Sequence, residues 1–153
     1  MRKRKVYIAG PLFSYAEQCF NINLAASLKK KLPHINFILP QKHAKRIAKK
    51  SNFTKNMFWY CINSIQRADL LLCLLDGPDV DSGTAIEMGY AYACKKPIIG
   101  FRSDFRSSED QGMNLMVSHV CSVLLWMPSN QKNSDKYIST LVLAIRRILK
   151  IAK

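Results

Sequence analysis

Residues 69–94, DLLLCLLDGPDVDSGTAIEMGYAYAC, set the architecture of the chain. The apolar run Asp69–Leu75 has the length and composition of a central parallel strand, which is buried on both faces. The turn-forming residues 76–83 predict a loop, and Thr84–Cys94 predicts a helix. A strand that continues through a loop into a helix is the repeating unit of a parallel α/β sheet.

The same unit recurs on both sides of this stretch. Further strands are predicted at Lys5–Ala9, Asn36–Leu39, Pro97–Phe101 and Cys121–Trp126. Helices are predicted at Ser14–Leu32, near His43–Lys50, at Thr54–Arg67 and at Ser134–Lys150. Alternating strands and helices favour parallel pairing through right-handed crossovers. The 153 residues fit one domain, so we expect residues 1–153 to form a single unit.

Ligands of open α/β sheets bind at the carboxyl ends of the strands. Four predicted loops begin at that edge, at Gly10, Pro40, Asp76 and Arg102. The third of these loops contains Asp76, Asp79 and Asp81 within six residues. Carboxylates accept hydrogen bonds from sugar hydroxyls, whereas clustered aspartates would repel a phosphate. This loop therefore favours a neutral, hydroxyl-rich ligand.

Two of these aspartates also have a structural interpretation. Asp76 and Asp79 could simply form turns, in which aspartate is common. Asp81 is the stronger binding candidate, because it directly precedes the predicted helix and lies near Glu87 in the sequence.

Glu87 itself has two interpretations. Thr84-Ala-Ile-Glu87 matches the capping box, in which the glutamate side chain satisfies a backbone amide at the helix start. Alternatively, a carboxylate in the first turn of a helix is stabilised as an anion by about 0.3–1 kcal/mol, and an ionised carboxylate can attack an anomeric carbon. The two roles are compatible, and the neighbouring aspartates favour the second.

The chain is strongly basic. Lysine and arginine outnumber the acidic residues 24 to 10, which gives a formal net charge of +14. The basic residues fall in blocks at Arg2–Lys5, Lys29–Lys31, Lys42–Lys50 and Arg146–Lys153. Such a charge could attract nucleic acid or phosphorylated ligands. Because no motif of a nucleic-acid-binding module accompanies the blocks, we expect solvated helix faces and no specific nucleic-acid partner.

The cysteines and the apolar runs indicate the compartment. The five cysteines are odd in number and form no C-x-x-C pair, which is typical of a reducing cytosol. Cysteine and histidine show no zinc-ligand spacing. No run approaches the roughly 20 apolar residues of a membrane span, and the apolar segment after the basic N-terminus is too short for a signal peptide. We therefore expect a cytoplasmic protein with no metal and no membrane partner.

Four segments in order resemble the nucleoside 2-deoxyribosyltransferases: Tyr7-Ile-Ala-Gly-Pro-Leu-Phe13, residues 76–91, Gly100–Arg106 and Asn114-Leu-Met116. The resemblance implies a single-domain α/β fold, doubly wound and flavodoxin- or Rossmann-like, with five parallel strands and helices on both faces. It also implies transfer of 2-deoxyribose between nucleobases through a covalent ester, with an oxocarbenium-like transition state. Neither a metal nor an organic cofactor is implied.

The resemblance assigns roles to individual residues. Glu87 would attack the anomeric carbon, Tyr7 would hold Glu87 in place, and Asp81 would bind the deoxyribose hydroxyls. Gln41, in the loop after Pro40, would face the base or the sugar. Further substrate contacts are expected at Gly10, Pro11, Phe13, Asp76, Asp79, Ser82 and Gly83.

The family also implies partners. The small-molecule substrates would be a deoxynucleoside and a free nucleobase. Asn114 and Met116 would reach the site of a neighbouring subunit, in a homo-oligomer built from dimers and often hexameric.

Cys61 departs from the family pattern. Many members have an aspartate at this position, eight residues before Asp69, and use it to handle protons of the base. A thiol cannot serve as that acid in the same way, so either Asp76, Asp79 or water would protonate the leaving base, or activity would be slow. The family's C-terminal carboxylate also has no counterpart in the basic tail Lys150–Lys153.

Two alternative functions stay open from the sequence. The first is hydrolysis of deoxynucleoside 5′-monophosphates, in which water resolves the glycosyl-enzyme, and the net charge of +14 supports a phosphorylated substrate. The second is a non-enzymatic module that binds nucleotides or nucleic acid through its basic surface, and its motivation is charge alone.

Overall fold

Five parallel strands form one sheet at the centre of the molecule. The structure is a computed structural model that describes residues 2–49, 51–106, 113–128 and 134–151. The strands are β1 (Lys5–Ala9), β2 (Asn36–Ile38), β3 (Leu70–Leu74), β4 (Ile98–Arg102) and β5 (Val123–Trp126). Their order across the sheet is β2-β1-β3-β4-β5, and every neighbouring pair is parallel. This is the flavodoxin-like arrangement, so the predicted fold class is confirmed.

Six helices connect and cover the strands in the described part of the chain. They are α1 (Tyr15–Lys31), α2 (Pro40–Ile47), α3 (Phe53–Arg67), α4 (Ser82–Ala93), α5 (Leu115–His119) and α6 (Ser134–Leu149). The start of α1 is fixed by a capping box between Ser14 and Glu17. In the part of the chain that is described, no helix is long and apolar enough to cross a membrane.

Alternating side chains of the strands build a core on each face of the sheet. On one face, Val6 and Leu72 pack with residues of α1 and α6. On the other face, Tyr7 and Leu71 pack with residues of α3, α4 and α5. Every residue of β3 is buried, as the apolar run predicted. Because side chains of this kind contribute roughly 1.5–3 kcal/mol each when fully buried, β3 anchors both cores.

The starts of α2 and α3 were predicted wrongly. Helix α2 begins at Pro40 rather than near His43, because proline is tolerated in the first helical turn, and Gln41 therefore lies in a helix rather than in a loop. Helix α3 is preceded by Asn52 in a left-handed conformation, so Thr54 is inside the helix and does not cap it. The short helix α5 was not predicted.

The fourth predicted loop begins later than expected. Arg102 is the last residue of β4, and its side chain is fully buried. The remainder of that predicted loop, residues 107–112, lies outside the described residues.

Candidate active site

A small cavity opens at the carboxyl edge of the sheet, beside β1 and β3. Its volume is about 130 Å³. Its lining comes from the loop after β1, the start of α2, the inner side of α3 and the start of α4: Gly10, Leu12, Phe13, Pro40, Met57, Cys61, Asp81, Gly83, Thr84 and Glu87. The cavity therefore lies where the topology of an open parallel sheet places ligands.

Glu87 faces this cavity and is held by a tyrosine from the central sheet. The hydroxyl of Tyr7 donates a hydrogen bond to Oε1 of Glu87 at 2.6 Å. Tyr7 lies in β1 and is fully buried, so its ring is fixed by the core. This contact joins the N-terminal strand to α4 and sets the direction of the carboxylate.

The capping-box interpretation of Glu87 was wrong. The N-cap of α4 is Asp81, and the helix begins at Ser82, which places Glu87 in the second turn. At that distance its side chain cannot accept hydrogen bonds from the free amides of the helix start. It accepts a hydrogen bond from Tyr7 instead. The predicted location in the first helical turn was therefore also wrong.

Burial dominates the electrostatics of Glu87. It raises the pKa of the carboxyl group to about 7, although hydrogen bonds from Tyr7 and Cys61 act in the opposite direction and the nearby Asp81 charge adds to the increase. The predicted place of Glu87 in the first turn of a helix favours the anion. Instead, loss of hydration outweighs any such stabilisation, and the group titrates near neutral pH.

Tyr7 and Cys61 both stay protonated beside Glu87. Burial and the Glu87 charge raise the pKa of Tyr7 well above its usual value. Burial also raises the pKa of Cys61 to about 11. At neutral pH the carboxylate is therefore flanked by a phenol and a thiol, both of which are hydrogen-bond donors.

Asp81 combines a structural contact with exposure to the cavity. Its Oδ2 accepts hydrogen bonds from the backbone N–H of Thr84 at 2.8 Å and from the Thr84 hydroxyl at 2.9 Å. Among the described residues, its Oδ1 has no hydrogen-bond partner. Gly83 leaves room for this arrangement, because a Cβ there would lie 3.2 Å from Asp81 Oδ2.

Asp76 does not line the cavity but connects the loop between β3 and α4 to the residues after β4. Its carboxylate accepts hydrogen bonds from the N–H of Ser103 at 2.6 Å, from the N–H of Asp104 at 3.0 Å and from the Ser103 hydroxyl. Gly77, whose φ of +125° favours glycine, donates its N–H to Asp104. The structure thus gives Asp76 the turn-stabilising role that was one of its two interpretations.

Arg102 stabilises the same loop, and the sequence did not single it out as a functional residue. Its guanidinium donates to the carbonyl oxygens of Leu75 at 2.7 Å and of Gly77 at 2.8 Å. Arg102 is fully buried, and Asp104 lies 3.9 Å away. An arginine at the end of an apolar strand was the available signal, because such a charge is buried only when it is well paired.

Gln41 and Pro11 belong to the support of the cavity. The Gln41 amide is buried, donates to the carbonyl oxygen of Gln18 at 3.0 Å and accepts from Asn21 at 3.4 Å. Asn21 in turn donates to the carbonyl oxygen of Pro11 at 2.8 Å. This chain of contacts holds the loop after β1, and Gln41 does not line the cavity.

Four other predicted contacts line a neighbouring groove instead. The groove has a volume of about 440 Å³ and lies between α4 and α5. The predicted residues on its walls are Asp79, Ser82, Asn114 and Met116. Asn114 caps α5 by accepting from the N–H of Met116, and the Met116 side chain is exposed.

The structure therefore brings together Tyr7, Gly10, Phe13, Asp81, Gly83 and Glu87. The lining residues absent from the predicted site are Leu12, Pro40, Met57, Cys61 and Thr84. Cys61 and Met57 are one helical turn apart on α3, and their spacing was the available signal for a shared face. In the described ranges, no group of His, Cys, Asp and Glu is arranged to hold a metal ion.

The sequence of the chain matches a known protein family. The sequence profile of the nucleoside 2-deoxyribosyltransferases matches residues 6–116. The chain belongs to the nucleoside 2-deoxyribosyltransferase family. The resemblance inferred from the sequence is thereby confirmed. Every residue that lines the cavity of this family member, from Gly10 to Glu87, lies inside the matched segment.

Several solved structures share the fold of this chain. A conserved protein from Enterococcus faecalis V583 is 26% identical with a TM-score of 0.76, over 95% of this chain and 99% of that chain. A 2-deoxyribosyltransferase from Bacillus psychrosaccharolyticus is 23% identical with a TM-score of 0.65, over 78% and 84% of the two chains. A CMP N-glycosidase from Clostridium botulinum is 18% identical with a TM-score of 0.60, over 90% and 98%. The last two likenesses show the fold alone. No functionally curated protein matches the sequence significantly.

Proposed function

We propose that this protein transfers 2-deoxyribose between nucleobases, with Glu87 as the nucleophile. The observation that carries the proposal is the Glu87 carboxylate at the wall of a sugar-sized cavity, oriented by the Tyr7 hydroxyl at 2.6 Å. A buried carboxylate with a pKa of about 7 is ionised in a large fraction of molecules at neutral pH and is poorly solvated. Both properties suit a nucleophile.

The reaction would proceed in two displacements. A Glu87 oxygen forms a bond to the anomeric carbon while the glycosidic C–N bond breaks, and the departing base takes the electron pair and a proton. A nitrogen of the second base then attacks the same carbon and loses its proton. The ester C–O bond breaks, and its electrons return to Glu87 as the free carboxylate.

Asp81 would select the sugar. Its Oδ2 is occupied by Thr84, its Oδ1 has no hydrogen-bond partner within the described residues, and the residue lines the cavity. A free carboxylate oxygen accepts a hydrogen bond from a sugar hydroxyl. The family assignment supports deoxyribose as that sugar.

Water would supply the proton for the leaving base. Cys61 occupies the position of the family aspartate, and with a pKa of about 11 this thiol does not titrate near neutral pH as a carboxyl group would. Asp76 is engaged by Ser103 and Asp104, and Asp79 lines the neighbouring groove. These contacts leave solvent as the best supported donor among the alternatives from the sequence.

Hydrolysis of deoxynucleoside 5′-monophosphates is the second candidate, and the net charge of +14 favours it. The cavity argues against a phosphate, because none of its described lining residues is basic. On these walls a phosphate would lack the cation that usually pairs with it.

The test is base exchange. Incubation with deoxyinosine and adenine should yield deoxyadenosine, measured by chromatography, and Glu87→Gln should abolish it. Asp135→Asn, an equivalent change at an exposed residue outside the cavity, should retain it. Intact deoxyinosine would contradict the transferase. Faster release of base from deoxyinosine 5′-monophosphate than from deoxyinosine would instead support the hydrolase.

A further inference from the structure

The acidic residues of the described chain are distributed unequally between the two edges of the sheet. Apart from Asp69, every acidic residue that the structure describes lies toward the carboxyl edge: Glu17, Asp76, Asp79, Asp81, Glu87, Asp104 and Asp135. The amino edge is where the strands begin and the long helices α1, α3, α4 and α6 end. It collects the residues that we define as the amino-edge basic face: Arg2, Lys3, Arg4, Lys29, Lys30, Lys31, Arg67, Lys95, Lys96, Arg146, Arg147 and Lys150.

Little on this face neutralises the charge. Asp69 accepts hydrogen bonds from Arg2 at 2.6 Å and Arg4 at 3.4 Å, and from the backbone N–H of Lys5. It is the one acidic residue of the described chain on this face. The Arg2 and Arg4 side chains stay 70% and 53% exposed despite this contact.

Helix dipoles explain only part of the pattern. Cations are favoured in the last turn of a helix, which accounts for residues such as Lys30 and Arg147. Arg2, Lys3 and Arg4 precede a strand, where no such stabilisation exists. Like charges on one face repel within a Debye length of about 8 Å at physiological salt, so an unliganded face of this kind lowers stability.

A hollow in the same face contains an exposed aromatic ring. Its volume is about 690 Å³, and Tyr92, Lys95, Lys96 and His119 contribute to its walls. The side chain of Tyr92 is 61% exposed. An open aromatic ring next to lysines is the combination on which proteins stack the bases of single strands while they bind the phosphates.

We propose that the amino-edge basic face binds single-stranded nucleic acid without sequence preference. The charge supplies the phosphate contacts, and Tyr92 supplies a stacking surface. An anionic membrane fits less well, because peripheral membrane faces combine basic residues with several exposed apolar side chains. Of the exposed large hydrophobic side chains in the described chain, Tyr92 is the one on this face.

This surface would act independently of the candidate active site. The five residues of β1 span roughly 15 Å, which separates the amino edge from the carboxyl edge. A strand bound at one edge therefore leaves the Glu87 cavity open, and the proposal does not depend on the enzymatic reaction.

Two triple variants with equal net charge test the proposal. Lys30→Glu, Lys31→Glu and Arg147→Glu change the basic face, whereas Lys42→Glu, Lys45→Glu and Lys49→Glu change α2 and the residues just after it. Binding of a fluorescein-labelled oligothymidylate of about 20 nucleotides is measured by anisotropy across a salt series. Circular dichroism checks that all proteins are folded.

The expected result is at least a tenfold weaker affinity for the face variant than for the α2 variant near physiological salt. The slope of log affinity against log salt should become smaller by about 2 for the face variant, since three phosphate contacts are lost. Tyr92→Ala should weaken binding of the oligothymidylate but not of heparin, which has no bases to stack.

Three results would overturn the proposal. The first is no binding by the native protein at physiological salt. The second is equal weakening by both triple variants, which would show a response to net charge alone. The third is stronger retention on vesicles that contain phosphatidylserine than on the oligothymidylate, lost in the face variant, which would identify a membrane surface instead.

Discussion

The hydroxyl of Tyr7 lies 2.6 Å from Oε1 of Glu87, and this contact joins residues 80 positions apart in the chain. One partner sits in the central sheet and the other on a helix that begins with an aspartate cap. The orientation of the proposed nucleophile is thus set by the core rather than by a loop, which is the arrangement expected where geometry must be held closely.

Tyr7→Phe should lower the rate of deoxyribosyl transfer by roughly 10- to 100-fold, because Glu87 loses an orienting donor worth about 1.5–3 kcal/mol. The same donor lowers the pKa of Glu87, so its removal should move the acidic limb of the pH–rate profile to higher pH. The native protein should show that limb near pH 7. Tyr137→Phe removes a hydroxyl from the α1 and α6 side of the sheet and should leave the profile unchanged.

Glu87→Gln should stabilise the fold at pH 8 and do so much less at pH 4. The pKa of Glu87 rises from 4.5 to about 7 on folding, so between these values the native state holds a proton that the unfolded chain has released. Stability therefore falls as pH rises through this window. Above pH 7 we expect the free energy of unfolding of the variant to exceed that of the native protein by on the order of 2 kcal/mol. Urea unfolding measures this difference. An equal gain at both pH values would show that Glu87 does not titrate as described.

Cys61→Asp should change the reaction in two ways. A second carboxylate beside Glu87 should raise the pKa of the site and shift the acidic limb to higher pH, because like charges disfavour ionisation. At pH values below that limb, the substitution should also speed the departure of bases that are poor leaving groups. A carboxyl group can donate a proton there, whereas the Cys61 thiol keeps its own. Cys61→Ser is the matched control and should produce neither effect. Single-turnover assays with two bases of different basicity distinguish the outcomes.

Arg102→Met should destabilise the protein by about 3 kcal/mol, since it leaves the carbonyl oxygens of Leu75 and Gly77 without their buried donor. Because these carbonyls belong to the loop before α4, the transfer rate should fall as well. Arg102→Lys keeps the charge but loses the forked geometry, and it should recover only part of the stability. Thermal unfolding measures the loss of stability. The loss of transfer rate is measured separately, at a temperature where all variants are folded.

The fold was accessible from the sequence because its strongest signals are local. The apolar run of β3 and the alternation of strands and helices were sufficient to predict the parallel sheet. The start of α4 was missed because Asp81 and Thr84 are both good N-caps. The choice between them depends on burial of Thr84, which is 1% exposed, and burial is a property of the whole fold.

The candidate site was accessible only in part. The loop pattern singled out Asp81 and Glu87, the family resemblance added Tyr7, and the structure places all three at the carboxyl edge. The engagement of Asp76 by Ser103 depends on residues 27 positions apart, and the burial of Gln41 depends on its contact with α1. Local sequence carries no information about such pairings.

Asp81 both caps α4 and lines the cavity, and this combination limits how the protein could be redesigned. A residue that cannot cap a helix, introduced at this position to change the sugar preference, would also remove the cap of the helix that carries Glu87. Changes of sugar preference are therefore better sought at other residues that line the cavity, such as Leu12 or Met57, which do not cap that helix.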